Sequence, residues 1–388
     1  MRDVIERSVA LAQSRPWRIA PRFVIALFAV LCLAPLAVQV LRLDRAIGGE
    51  KRALSEAPGW KDLAKLSKLS RRLEGYVNDH FGFRSELVRI NSLARYHLGI
   101  SSNPQVAVGR DGWLFYTRDR ILEQHTGIDV FKPAELDEWA RRIEAIRNWL
   151  ARRDIQLVML LAPEKNTIYP EMVPQFSKAP GTVTRADQVV AKLAGGPVPF
   201  VDPRAALLAA KQDRSQLYFL GDTHWSHRAA FVGYRMLIDE LRRHFPALTA
   251  ARLEDFNVAE TTVVSDLAYL LGLQADIVVR GEVMTRRDPP LREPEVRAPS
   301  TNSAWGWPIK FYKTEQADKP RALVFGDSFT DYILGPTFLY STFRDPVFTH
   351  HNTITLNYQL VEEVKPDVVV IVVAERYLHI MPGLPPAQ

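Results

Sequence analysis

Two short strings in this chain hold the parts of a serine nucleophile system. One is Gly221-Asp222-Thr223-His224-Trp225; the other is Gly326-Asp327-Ser328-Phe329, which directly follows the apolar run Ala322-Leu323-Val324-Phe325. An acid, an imidazole base and a hydroxyl can together carry an acyl group. In an extended segment residues i and i+2 project to one side. Asp222 can then accept from the Nδ1–H of His224 and leave Nε2 to take the Ser328 proton. Each string also has a plainer use. Asp327 and Ser328 could cap a helix, and Asp222 or Ser226 could do the same for the segment after Trp225. A metal site is a further alternative: Asp222, His224 and His227 are plausible ligand types, with His350 and His351 as possible additions. Nothing in the spacing makes those histidines converge, so the triad is the preferred reading, and its chemistry needs no cofactor and no metal.

The elements around these strings alternate between strand and helix patterns. Val106-Ala107-Val108, the turn Gly109-Arg110-Asp111-Gly112 and Trp113-Leu114-Phe115-Tyr116 predict a hairpin. Residues 133–152 predict a helix with Pro133 near its start and an apolar stripe at Leu136, Trp139, Ile143, Ile146 and Leu150. Ile155–Leu161, Ala322–Phe325 and Val368–Val373 read as strands buried on both faces, Val198–Val201 as a shorter one. Ala205–Ala210 and Ser226–His244 read as helices. Such alternation predicts an α/β sandwich with a mainly parallel sheet. Ser328 then lies at the C-terminal end of a strand, where open sheets carry their reactive groups. Its N–H would open a helix and face a developing oxyanion, and Gly326 would permit the tight turn. The stretch near 246–319 is irregular and reads as an insertion.

Composition narrows the compartment. The chain has 388 residues with 47% hydrophobic and 24% charged residues, a folded globular balance. Cys32 is the single cysteine, so no intrachain disulfide forms. The net charge is +6, of which +3 sits in residues 1–22. The +3 left for the remainder is too little for nucleic acid binding. Phe23–Leu41 holds nineteen uncharged residues, with Gln39 the polar exception. At ~1.5 Å per residue it spans about 28 Å, close to a bilayer core, and predicts one transmembrane helix. A cleaved signal peptide is the alternative, but no small-x-small site follows. Arginines before the run favour a cytoplasmic N-terminus modestly. The domain reading is a tail and anchor over 1–45, a helical juxtamembrane segment over 46–103 with Leu63, Leu66, Leu69 and Leu73 as its stripe, and a catalytic domain over 104–388.

Four strings in order resemble the SGNH hydrolase-like domain of the bacterial alginate O-acetyltransferase family (AlgJ/AlgX-type proteins). They are Gly109–Tyr116, Ala162-Pro163-Glu164-Lys165-Asn166-Thr167-Ile168-Tyr169-Pro170-Glu171, Asp222–Trp225 and Gly326–Phe329. The resemblance implies an SGNH hydrolase-like three-layer α/β/α fold and a catalytic triad of Asp222, His224 and Ser328. The Asp/His string precedes the serine, the reverse of ordinary SGNH hydrolases and similar to the acetyltransferase relatives. It further implies an O-acetyltransferase on an exopolysaccharide, anchored in the bacterial inner membrane with its catalytic domain in the periplasm. A membrane-bound O-acyltransferase would be the donor partner. Lys165, Asn166, Tyr169, Trp225, Asn352, Arg376 and Tyr377 are the candidates for substrate or oxyanion contacts. Trp225, Trp305 and Trp307 could stack on sugar faces. An acetyl esterase with the same triad and a non-catalytic assembly protein are the rival readings.

Overall fold

The computed structural model describes residues 21–41, 54–59, 66–173, 179, 181–213, 216–263, 265–287, 294–297, 308–314 and 316–386. The chain divides into two compact units, Met1–Ala94 and Arg95–Gln388. In the first, the apolar run forms the 20-residue helix Pro21–Val40 with Pro35 inside it, and the leucine stripe falls on the helix Leu66–His80. Leu63 lies outside the described residues. Side chains of the apolar helix are described over 23–39, and no helix among the described residues is long and apolar enough to cross a membrane.

The second unit is built on a seven-stranded sheet. Its strands are β3 (Gln156–Ala162), β4 (Phe200–Val201), β7 (Glu295–Arg297), β8 (Ile309–Phe311), β9 (Arg321–Gly326), β10 (Arg344–His350) and β11 (Val368–Ala374), in the order β4-β3-β11-β9-β10-β8-β7. The five strands from β4 to β10 are parallel, while β8 and β7 close one edge antiparallel. The continuous aliphatic runs are strands because both faces are covered. Val158, Leu160, Val324, Val370 and Val372 point into one core with the helix His227–Leu241. Leu157, Met159, Leu161, Leu323, Val369 and Ile371 alternate into the other, against the helix Pro133–Ala151. Helices on both sides of the sheet make the three-layer arrangement.

Two antiparallel pairs stand beside the sheet. β1 (Val106–Val108) and β2 (Leu114–Tyr116) form the expected hairpin, turning through left-handed backbone at Asp111 (φ 52°) and Gly112 (φ 76°). β5 (Phe256–Val263) and β6 (Val279–Arg286) pair over eight residues each. They lie in the stretch whose sequence shows no regular pattern, because β5 is almost wholly exposed and carries no apolar alternation.

Candidate active site

The triad residues come from two loops at one end of the sheet. Tyr218 and Trp225 bridge antiparallel, so the chain between them is a tight loop that projects Asp222 and His224. Asp222 Oδ1 accepts from the His224 backbone N–H at 2.8 Å and stands 2.9 Å from His224 Nδ1. An ionised carboxylate only accepts, so Nδ1 carries the proton. Nε2 is then free to accept from the Ser328 hydroxyl, 2.9 Å away. The three side chains predicted to meet do so at hydrogen-bond distance, across 104 residues of sequence.

Electrostatics hold this order. Burial opposes the Asp222 charge, but its bonds to His224 and the imidazole charge outweigh that and lower its pKa. Burial likewise opposes the charged imidazole, yet the bond to Asp222 and the charges of Asp222 and Asp266 raise the His224 pKa above its ordinary 6.5. Asp266 was not legible as part of the site. It opens the short helix Asp266–Leu270, its Oδ1 accepts from Thr223 N–H at 2.8 Å, and its own N–H donates to Asp222 Oδ2 at 3.2 Å. Its other oxygen is 4.0 Å from His224 Nδ1. Burial and the Asp222 charge raise its pKa.

Ser328 follows β9 and one linking residue. Asp327 is buried and fixes the turn from both sides: Oδ1 accepts from Phe329 N–H at 2.9 Å and Oδ2 from Ala374 N–H at 2.8 Å. Burial pushes its pKa up to about 6 against those two donors. Asp327 is thus the cap, and Ser328 is left to face His224. The chain continues as a π-helix, Thr330–Leu339, in which Gly335 carbonyl accepts from Tyr340 N–H at 3.0 Å. Pro336 lacks an N–H, so the ordinary α-helical ladder cannot run through it. No acceptor among the described residues takes the Ser328 N–H, which fits a first oxyanion donor. The expected reason for Gly326 needs correction. Its φ is not left-handed; a Cβ there would instead come within 2.1 Å of Thr330 Oγ1 and 2.9 Å of its Cγ2. Close approach of the following helix is what excludes a side chain.

The other sequence candidates separate into supports and neighbours. Lys165 is buried, and its Nζ donates to the carbonyls of Leu114 (2.7 Å), Leu220 (2.8 Å) and Asp222 (3.0 Å). Burial pulls its pKa to about 7 against the pull of Asp222 and Asp266. With all three protons engaged, it props the acid loop against the hairpin rather than reaching substrate. Tyr169 is 4.6 Å from the Trp113 ring, and its hydroxyl accepts from Leu217 N–H at 3.2 Å. The hairpin motif and the lysine motif are therefore two halves of one support. Trp225 is fully buried, and its Nε1–H donates to Phe329 carbonyl at 3.0 Å. It ties the histidine loop to the serine turn and presents no face to a sugar, contrary to expectation. Trp305 and Trp307 lie outside the described residues.

Arg376 is buried and bidentate on Glu164, at 2.6 and 2.8 Å. The pair joins the ends of β3 and β11, and the guanidinium lies 5.5 Å from the Phe329 ring. Tyr377 is half-buried beside it, its pKa raised by burial. Asn166 is buried on the turn after β3. Asn352 accepts from His350 at 3.0 Å, and His350 also bonds Asp331. His351 is taken by Thr353. Neither histidine turns toward a metal cluster with Asp222. Among the described residues the one set of side chains close enough to share an ion is Asp222, His224 and Asp266. His224 Nδ1 could ligate only by giving up the proton it donates to Asp222, so these groups fit acid–base work.

A cavity of about 430 Å³ opens beside the triad. Phe219, Val263, Val283, Ile333 and Tyr332 line it together with Asp222, His224, Asp266, His227 and Thr262, and its surface is chiefly apolar. Tyr332 is exposed, four residues after Ser328, with its ring edge-on to His224 at 4.8 Å. The i+4 spacing from the serine was the signal that could have found it.

The SGNH hydrolase-like domain of the acetyltransferase AlgX matches residues 106–303, just over half of the chain. The chain belongs to that family. The matched segment holds Asp222, His224 and Asp266 and ends before Ser328, so the serine is assigned by geometry. The probable alginate O-acetylase AlgJ of Pseudomonas aeruginosa is 26% identical over 199 residues, which is 49% of this chain and 48% of that protein. The chain thus spans about half the length of the curated relatives it matches. Among solved structures, Bacillus cereus PatB1 superposes with a TM-score of 0.52 at 14% identity, covering 70% of this chain and 96% of PatB1. A second PatB1 structure, with a sulfonyl adduct, gives the same TM-score at 15% identity and covers 70% and 94%. At that identity the likeness speaks for the α/β fold with its mainly parallel sheet.

Proposed function

We propose that this protein is a polysaccharide O-acetyltransferase working through an acetyl-serine on Ser328. The observation that carries the reading is the 2.9 Å approach of His224 Nε2 to Ser328 Oγ, with Nδ1 held by Asp222. His224 takes the Ser328 proton as Oγ attacks the acetyl carbonyl, and the Ser328 N–H faces the developing oxyanion. The donor's leaving oxygen departs with the proton from Nε2. A sugar hydroxyl then attacks the acetyl-serine, its proton passes to Nε2 and on to Ser328 Oγ, and the acetylated sugar leaves. Family membership and the name of the Pseudomonas relatives support acetyl transfer over other serine chemistry.

The anchor and compartment belong to the same proposal. The run Phe23–Leu41 supports a single inner-membrane helix with the catalytic unit in the periplasm. Acetyl groups would reach it there from a membrane-bound O-acyltransferase partner. The test is incubation of the purified protein with an activated acetate ester and oligosaccharides. Acetylated sugar is the expected product; free acetate alone, at every acceptor concentration, would make it an esterase.

A further inference from the structure

We infer that the cavity beside the triad seats an uncharged sugar ring stacked on Tyr332, so that the acceptor is a polymer without carboxylates rather than a polyuronate. The inference rests on the proposed acetyl transfer and names its acceptor class.

The titratable groups in the lining are Asp222, Asp266, His224, His227 and Tyr332. Among the described lining residues there is no lysine or arginine. His227 lines the same space, and burial pushes its pKa down to about 4, so it is neutral at physiological pH. Two arginines outside the lining are already engaged. Arg376 is bidentate on Glu164, and Arg228 bonds Glu282 at 2.6 Å. A uronate entering here would meet two carboxylates and no lysine or arginine among the described lining residues. A carboxylate ligand ordinarily finds a guanidinium or ammonium partner.

About 430 Å³ lies in the usual range for a small-molecule site and admits a pyranose ring. Its wall is chiefly apolar, suited to the C–H face of a sugar. Tyr332 is a large aromatic of the lining and is 67% exposed. Its ring stands beside His224, where an aromatic face can take the apolar face of a sugar ring. Trp225, the aromatic that the sequence offered for this role, is sealed inside the core. The hydroxyls of a stacked neutral ring would lie beside His224, which must receive the proton of the attacking one.

The test is calorimetric binding to the full chain silenced by Ser328→Ala. The probes are neutral hexamers (β-1,4-glucan, β-1,4-mannan and β-1,3-glucan) and a β-1,4-mannuronate hexamer, at low and at physiological salt. At least one neutral hexamer is expected to bind, and mannuronate to bind more weakly than it at both salts. Adding Tyr332→Ala should weaken the neutral hexamer about tenfold, while Tyr332→Trp should restore it. Tighter binding of mannuronate, no binding by any neutral hexamer, or an unchanged affinity in Tyr332→Ala overturns the inference. A parallel assay of unsubstituted protein with an activated acetate ester separates the two claims. Acetyl-serine formed without neutral-sugar binding defeats the acceptor assignment alone, whereas no acetyl-serine defeats the acetyl-transfer reading as well.

Discussion

Replacing Asp266 by asparagine removes one negative charge 4.0 Å from His224 Nδ1 and little else. Asparagine keeps an oxygen for Thr223 N–H, and the backbone bond from residue 266 to Asp222 is untouched. At 4 Å a unit charge is worth about 1 kcal/mol in water and about 4 kcal/mol at an effective dielectric near 20. The Asp266 side chain is 40% exposed, which places the pair toward the watery limit. A loss of about 1.4 kcal/mol corresponds to about one pKa unit on His224. The sign follows from the state that works. Neutral His224 accepts the serine proton, so acylation rises with pH through the His224 pKa. Asp222 and Asp266 hold that pKa above 6.5, and Arg376 opposes them. Removing the Asp266 charge lowers it, and the rising limb moves to lower pH by about one unit. The assay is the initial release of p-nitrophenol from p-nitrophenyl acetate between about pH 4 and 9. A limb that stays in place, or moves to higher pH, would refute the assignment of Asp266 as a charge acting on the base.

Two further substitutions test the supports. Lys165→Met removes three hydrogen bonds and the cost of burying an ammonium; the balance is a loss of about 2 kcal/mol in urea unfolding. Because the Asp222 carbonyl is one acceptor, kcat for acylation should fall with KM little changed, and wild-type stability would contradict the support role. Arg376→Met leaves Glu164 buried and unpaired and should cost about 3–5 kcal/mol, whereas a loss below about 1 kcal/mol would show that the pair is not structural.

The catalytic order was readable because its signals are local. Asp222-Thr223-His224 and the strand before Ser328 each carry their own pattern, and the helix Pro133–Ala151 begins at the predicted proline. Partnerships between distant loops were not readable. Glu164 and Arg376 are 212 residues apart, and no periodicity joins them. Asp266 opens a five-residue helix beyond a β-strand with no apolar alternation, so nothing in its neighbourhood pointed to the triad. Trp225 shows a different limit. Its type suited a sugar platform, but only the fold shows that its indole N–H is spent on Phe329 inside the core. The helix after Ser328 was expected, while its π geometry depends on Gly335 and Pro336 acting together with the packing of Tyr340.

Acetyl transfer as proposed requires Ser328 as the nucleophile. The most direct test is peptide mass spectrometry of the protein quenched during turnover of an activated acetate ester. One acetyl group on the peptide containing Ser328 is predicted, absent in Ser328→Ala and strongly reduced in His224→Ala. Acetylation of a different residue, or turnover that persists undiminished in Ser328→Ala, would contradict the central claim.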